Sequence, residues 1–274
     1  MVAGQRTITD VALIENSDRY LRWAARQNDR LAGLVSGSSG SAIALAPTIP
    51  LALRGPAAVT SYAPSKIPEP SDDLMLRVGQ LYAADRQLHP LWSAALDAKM
   101  VGEGATIEKG AAALGTLTAA FLTKPDGPRI AMLETGGWDT HNAQAGRLTA
   151  QLKALDALVS ALRAGMGPDW SKTTVLVATE FGRTAAANGT GGTDHGTGSM
   201  AMLIGGAVKG GRIIADWPGL APRQLHEGRD LKPTSALDAV IAGAAAESLA
   251  LDPELTGRRL FANIAQRPVT GLVS

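Results

Sequence analysis

The sequence predicts an α/β fold in a single domain spanning residues 1–274, and three observations predict it. First, Ile130, Ala131, Met132 and Leu133 form a short continuous apolar run, the pattern of a strand covered on both faces. Second, Thr173 to Thr179 (TTVLVAT) is a β-branched apolar run of the same kind, and the amphipathic stretch Leu148 to Ala164 lies between the two. That order is the order of a β-α-β unit with a right-handed crossover and a parallel sheet. Third, both strands run directly into polar motifs, as expected where an open sheet carries a site beyond its carboxyl ends.

The elements follow in chain order. Ile8 to Leu34 has apolar residues at helical spacing (Val11, Ile14, Leu21, Leu31) with Thr9 or Asp10 as a cap, and GLVSGSSGS, starting at Gly33, reads as a flexible turn. Ala42 to Ala46 and Leu51 to Leu53 read as short strands split by Pro47 and Pro50, and Gly55 to Pro70 as a surface connection. Helical spacing returns from Asp72 to Ala98 and again around Ile107 to Leu122. Residues 1–128 are thus mainly helical with short strands, and 129–274 form the α/β part. There the helix ending near Ala164 is closed by Gly165, Gly167 and Pro168, Met200 to Ile204 offers a further strand, and Ser235 to Leu249 a helix packed on the sheet.

Composition narrows the function. Lys and Arg number 26 against 25 Asp and Glu, so no overall field attracts nucleic acid or an anionic membrane, and an anionic ligand must be held locally. The chain has no Cys, which removes disulfides and thiolate chemistry and leaves His and carboxylates as metal ligands. No apolar run reaches the roughly 18 to 20 residues that span a bilayer. The first residues show no export signal, so a start at Met1 predicts a cytoplasmic protein. Oligomeric state is left open.

The chemistry concentrates in three segments. Glu134 to His141 (ETGGWDTH) places Asp139 and His141 two apart, so that an extended chain aims both the same way. Glu180 and Arg183 follow the second strand, and Asp194-His195 lie between glycines. Together Asp139, His141, Glu180, Asp194 and His195 supply the oxygen and imidazole donors a divalent ion needs. Adjacency makes joint service of Asp194 and His195 to one ion awkward, so His195 is the direct ligand and Asp194 a ligand or an orienter. Each has a plainer reading. Asp139 could cap the next helix while His141 meets a local carbonyl, Glu180 could pair with Arg183, and the glycines from Gly189 to Gly198 could form an ordinary loop. Arg183, with its planar fork, could grip a phosphate or sulfate oxygen. His89 and His226 read as structural or solvent-facing. Asn188-Gly-Thr190 matches a glycosylation acceptor but is discounted, and the serines between Ser36 and Ser41 read as a flexible turn rather than a nucleophile.

The runs ETGGWDTHNAQ, VLVATEFGRT and NGTGGTDHGTGSMAMLIGGAVKGG, joined more loosely by Gly228-Arg-Asp230-Leu, resemble the bacterial domain of unknown function 1501, within the alkaline-phosphatase and sulfatase-like superfamily. The resemblance implies an α/β/α sandwich with a mostly parallel sheet. It also implies a divalent-metal site, with zinc first and magnesium, calcium or manganese as alternatives, that maps onto Asp139, His141, Glu180, Asp194 and His195. The implied activity is hydrolysis of a small anionic phosphate or sulfate ester, the metal polarising an oxygen and activating the attacking hydroxyl or water. Relatives begin with a twin-arginine signal and a first strand ending in a Gly-Gly-x-Asp-Gly-like motif, and neither precedes Ile8. The resemblance therefore implies a periplasmic or exported, N-terminally truncated protein, either an incomplete gene product or a reduced relative with one metal site left and weakened catalysis. The alternative function is a non-catalytic exported binding or assembly protein with a structural metal site.

Overall fold

The computed structural model describes residues 42–50, 53, 59–63, 70–104, 110–261, 264 and 266–274. The expected helix over residues 8–34 and the turn that follows it lie outside the described residues. Among those described, the chain is a mixed α/β protein with a small parallel sheet and six helices.

The sheet is built on β1 (Ala42–Ala44), which pairs in parallel with β2 (Val59–Ser61) on one side and β3 (Ile130–Met132) on the other. As the central strand, β1 is buried on both faces. Ile43 packs with Leu117 and Phe121, while Ala42 and Ala44 pack with Leu53 on the opposite face, as a two-residue period requires. The expected strand at Leu51 to Leu53 is corrected at its described end: Leu53 closes a tight turn by donating its N–H to Pro50 O at 2.9 Å, as the flanking prolines favour. Conversely, Val59-Thr-Ser61, read in the sequence as part of a surface connection, is a strand. Its β-branched residues complete the edge of β1.

The helical stretch from Asp72 divides into α1 (Asp72–Tyr82) and α2 (Leu88–Gly104). Asp85 makes the break, its carboxylate accepting the N–H groups of Gln87 and Leu88 at 2.8 and 2.9 Å. The Tyr82 and Trp92 rings close this hairpin edge to face, 5.7 Å apart. Beyond it, α3 (Ala111–Leu122) lays Leu117 and Phe121 on the sheet and packs its other face on α4 (Gln144–Met166) through Ala119, Leu162 and Met166.

One expectation is overturned. β4 (Val175–Val177) does not continue the parallel sheet beside β3 but pairs antiparallel with β7 (Met202–Ile204), Leu176 facing Leu203. A short apolar strand reads the same whichever partner it takes, so its sequence does not choose between β3 and β7. The second ladder is covered by α5 (Leu237–Ser248), whose Val240 and Ala244 pack with Leu176, Leu203, Leu272 and Val273. The last helix, α6 (Pro253–Leu260), starts where Asp252 accepts the Leu255 N–H at 2.6 Å, with proline in the first turn. Between β4 and β7 stands a two-residue hairpin, β5 (Gly182–Arg183) and β6 (His195–Gly196), which positions the site.

Candidate metal centre

After β3 the chain runs without regular structure to Thr140 and then turns into α4, with Ala143 in the left-handed region at φ 44°. This loop is stitched to the segment before β6. Ala143 and Gln144 donate their N–H groups to Thr190 O and Gly191 O, and Thr193 donates to Thr140 O. Gln144 Oε1 accepts from both the Thr140 and Thr193 hydroxyls. Gly192 is required here for space, because a Cβ at that position would stand 2.2 Å from the carbonyl of His141.

In the hairpin, Arg183 lies directly opposite His195, so both side chains project from one face of the ribbon, and both reach Asp139. His195 Nε2 is 2.8 Å, His141 Nε2 2.9 Å and Arg183 Nη2 3.1 Å from the single oxygen Asp139 Oδ1. The imidazole centroids are 4.9 Å apart. One donor atom from each of Asp139, His141 and His195 falls within 4.8 Å of the others. Bonds near 2.0 Å in a tetrahedral zinc site separate ligand atoms by roughly 3.3 Å, a spacing that small side-chain rotations would reach from these contacts.

His141 adds a chemical argument for a cation. Its Nδ1 lies 3.1 Å from Asp194 Oδ1 while its Nε2 faces Asp139. Carboxylates flank both nitrogens, yet a neutral imidazole carries one N–H. The ring is therefore either an imidazolium or a neutral donor to Asp194 with its Nε2 lone pair turned toward a shared cation, the carboxylate-histidine-metal arrangement. Asp194 belongs to this outer position rather than to the group of three.

Electrostatics agree with that arrangement. Burial works to raise the Asp139 carboxyl, but the His195 hydrogen bond and the nearby His195, His141 and Arg183 hold it below the ordinary aspartate range. Asp194 is also held low, first by the Asn188 amide and then by His141, with a weaker contribution from Arg229.

Several residues to which the sequence assigned no part in the site complete the scaffold. Asn188 Nδ2 donates to Asp194 Oδ1 at 3.0 Å and to His141 O at 2.9 Å, and its Oδ1 accepts the N–H groups of Thr190 and Gly192. Phe181 stacks on His195 with centroids 4.4 Å apart and planes at 15°, and the Arg183 guanidinium lies 4.7 Å from the Phe181 centroid. Asp230, with a side chain only 8% exposed, accepts from Thr197 at 2.7 Å and pairs with Arg229 at 2.8 Å. The available signal was the Asx-type Asn188-Gly-Thr190 run and the Gly228-Arg-Asp230 motif, neither of which reveals its distant partner.

Two expected participants are placed otherwise. Glu180 is exposed and stands outside the three-residue group; β4 ends at Val177 and the chain turns, with the Thr179 hydroxyl donating to Phe181 O and accepting from the Ser199 hydroxyl. Arg183 donates to Thr193 O and Trp138 O, both at 2.7 Å, besides Asp139, and its side chain is 19% exposed. It fastens the loop to the hairpin. His89 is exposed on α2, and His226 lies 3.9 Å from Glu227 beside its backbone pairing with Asp230; neither belongs to the three-residue group.

Comparison with protein families matches residues 91–255 to the family described as "Protein of unknown function (DUF1501)". The chain belongs to the DUF1501 family. The matched span includes Asp139, His141 and His195, together with Asn188, Asp194 and Asp230. No curated protein and no solved structure matched the chain.

Proposed function

We propose that this chain is a metal-dependent hydrolase of phosphate or sulfate esters, with Asp139, His141 and His195 as ligands of a divalent ion, zinc foremost. The observation that carries the reading is the convergence of three donors from two distant segments on one point. Three protein ligands with an open side are the pattern of catalytic rather than structural zinc, which takes four, and Asp139 is 44% exposed. Asp194 orients His141 through Nδ1, and Glu180 is not needed as a ligand. A bound ion would polarise the ester oxygen and lower the pKa of an attacking water or hydroxyl. The sequence resemblance supports the same chemistry, an α/β/α sandwich of the alkaline-phosphatase type, and a periplasmic setting.

The test is zinc titration of the purified protein alongside H141A and H195A, followed by turnover of aryl phosphate and aryl sulfate esters with and without chelator. The expected result is about one ion per chain, affinity reduced roughly 100-fold or more in either variant, and chelator-sensitive turnover. Equal zinc affinity in wild type and H195A would refute the site. Tight zinc binding without turnover of either ester would refute the hydrolase and leave a structural metal.

A further inference from the structure

A metal site acting on an anionic ester needs a cation that can reach the departing or transferred group, and Arg183 is already committed. Its Nη1 and Nη2 serve two backbone carbonyls and Asp139. Arg229 stands differently. It flanks the same hairpin, donating from Nη2 to His195 O at 3.2 Å, while its Nε pairs with the buried Asp230 carboxylate at 2.8 Å. Asp230 is itself fixed by Thr197 and by backbone pairing to His226 and Thr184. Nη2 is thus anchored to the hairpin that carries His195 and to Asp230 Oδ2, and Nε is ion-paired with Asp230, yet the side chain is 62% exposed, and among the described residues Nη1 engages no partner.

We propose that Arg229 is the anion-binding residue of this site, presenting its open Nη1 edge to a phosphate or sulfate oxygen of the ligand. The inference rests on the metal-hydrolase reading and adds the group that recognises the anion. A planar fork held at two corners loses little freedom when the third engages, so its charge-assisted hydrogen bonds are strengthened by pre-organisation. Asp230 acts through Arg229 and is a positioning residue. The same residues brace the β6 strand, which couples the anion-recognising group to the imidazole of His195.

The experiment measures inorganic phosphate binding by calorimetry to wild type, R229Q and R229K, each after zinc loading with excess metal removed and again after chelation. Zinc stoichiometry is measured separately on the same samples. The expected result is phosphate binding by wild type, weakened roughly 10- to 100-fold in R229Q at unchanged zinc stoichiometry, with R229K in between because an ammonium keeps the charge without the fork. The inference is overturned if R229Q binds phosphate as wild type does, or if wild type binds none in either state. Failure of the metal reading appears on its own as absent zinc, and Arg229-dependent phosphate affinity in the chelated protein would still uphold the inference. Should R229Q lose the wild-type circular dichroism, R229K decides: several-fold weaker phosphate binding at an unchanged melting temperature upholds the role, and wild-type affinity overturns it.

Discussion

Asp139 Oδ1 draws two imidazoles and a guanidinium, and the order of that cluster depends on groups one contact further out. Asp194 is the clearest of them. It lies on the far nitrogen of His141, so with a cation bound it would hold the tautomer whose Nε2 lone pair faces the ion. Substituting Asp194→Ala is expected to lower zinc affinity about 10- to 100-fold while leaving the melting temperature of the metal-free protein nearly unchanged. Competition with a chromogenic chelator measures it, and wild-type affinity in the variant would remove Asp194 from the site. At this scale the sequence was informative about residue types and poor about partners. Asp139 and His141 meet at 2.9 Å because they are two apart in one loop, a property of local sequence. That Asp194 would meet His141 rather than the ion depends on where a segment 53 residues away is laid.

Among the elements, the α3–α4 pair shows how a single atom sets a helix spacing. A Cβ at Gly115 would stand 2.2 Å from Leu158 O and 2.9 Å from Leu162 N, so the two backbones approach as closely as glycine allows. Gly115→Ala is expected to force the helices apart and destabilise the protein by roughly 2–4 kcal/mol. Chemical denaturation reads the change, and a loss below about 0.5 kcal/mol would mean that the pair relaxes freely. These helices were legible because their apolar spacing runs for several turns. The three-residue strands were legible as strands but not as neighbours: a run such as Val175-Leu-Val177 satisfies a parallel or an antiparallel ladder equally, and the pairing with β7 replaced the expected one with β3.

For the molecule as a whole, Glu247 on α5 fastens the C-terminal segment by accepting the N–H groups of Gly271, Leu272 and Val273, while Lys209 and Ser274 donate to Leu272 O and Ala207 O. Burial works to raise the Glu247 carboxyl, but the three amides outweigh it and hold the group below the ordinary glutamate range. A carboxyl whose folded pKa is depressed contributes stability that is complete above its unfolded value, about 4.3, and is lost as pH falls through the folded value. Asp139 has the same sign. Glu247→Gln is therefore expected to cost roughly 1–2 kcal/mol at neutral pH and to flatten the acid limb of stability between about pH 5 and 2. Melting temperatures across that range check it, and an acid limb as steep in the variant as in wild type would show that the clamp contributes nothing.

The division between the two levels of description follows from the range of the forces involved. Periodicity, caps and the Asp-x-His spacing are local, so the α/β character and a helix over residues 148–164, which the structure extends to 144–166, could be read directly from the chain, as could Asp139 and His141 as a candidate pair. Which strands pair, that Glu180 stays outside the donor group, that Arg183 becomes a strut and that Arg229 keeps an open edge all depend on contacts between segments tens of residues apart. Those contacts are settled by packing and by the demand that every buried polar group find a partner, and neither is encoded at any one position.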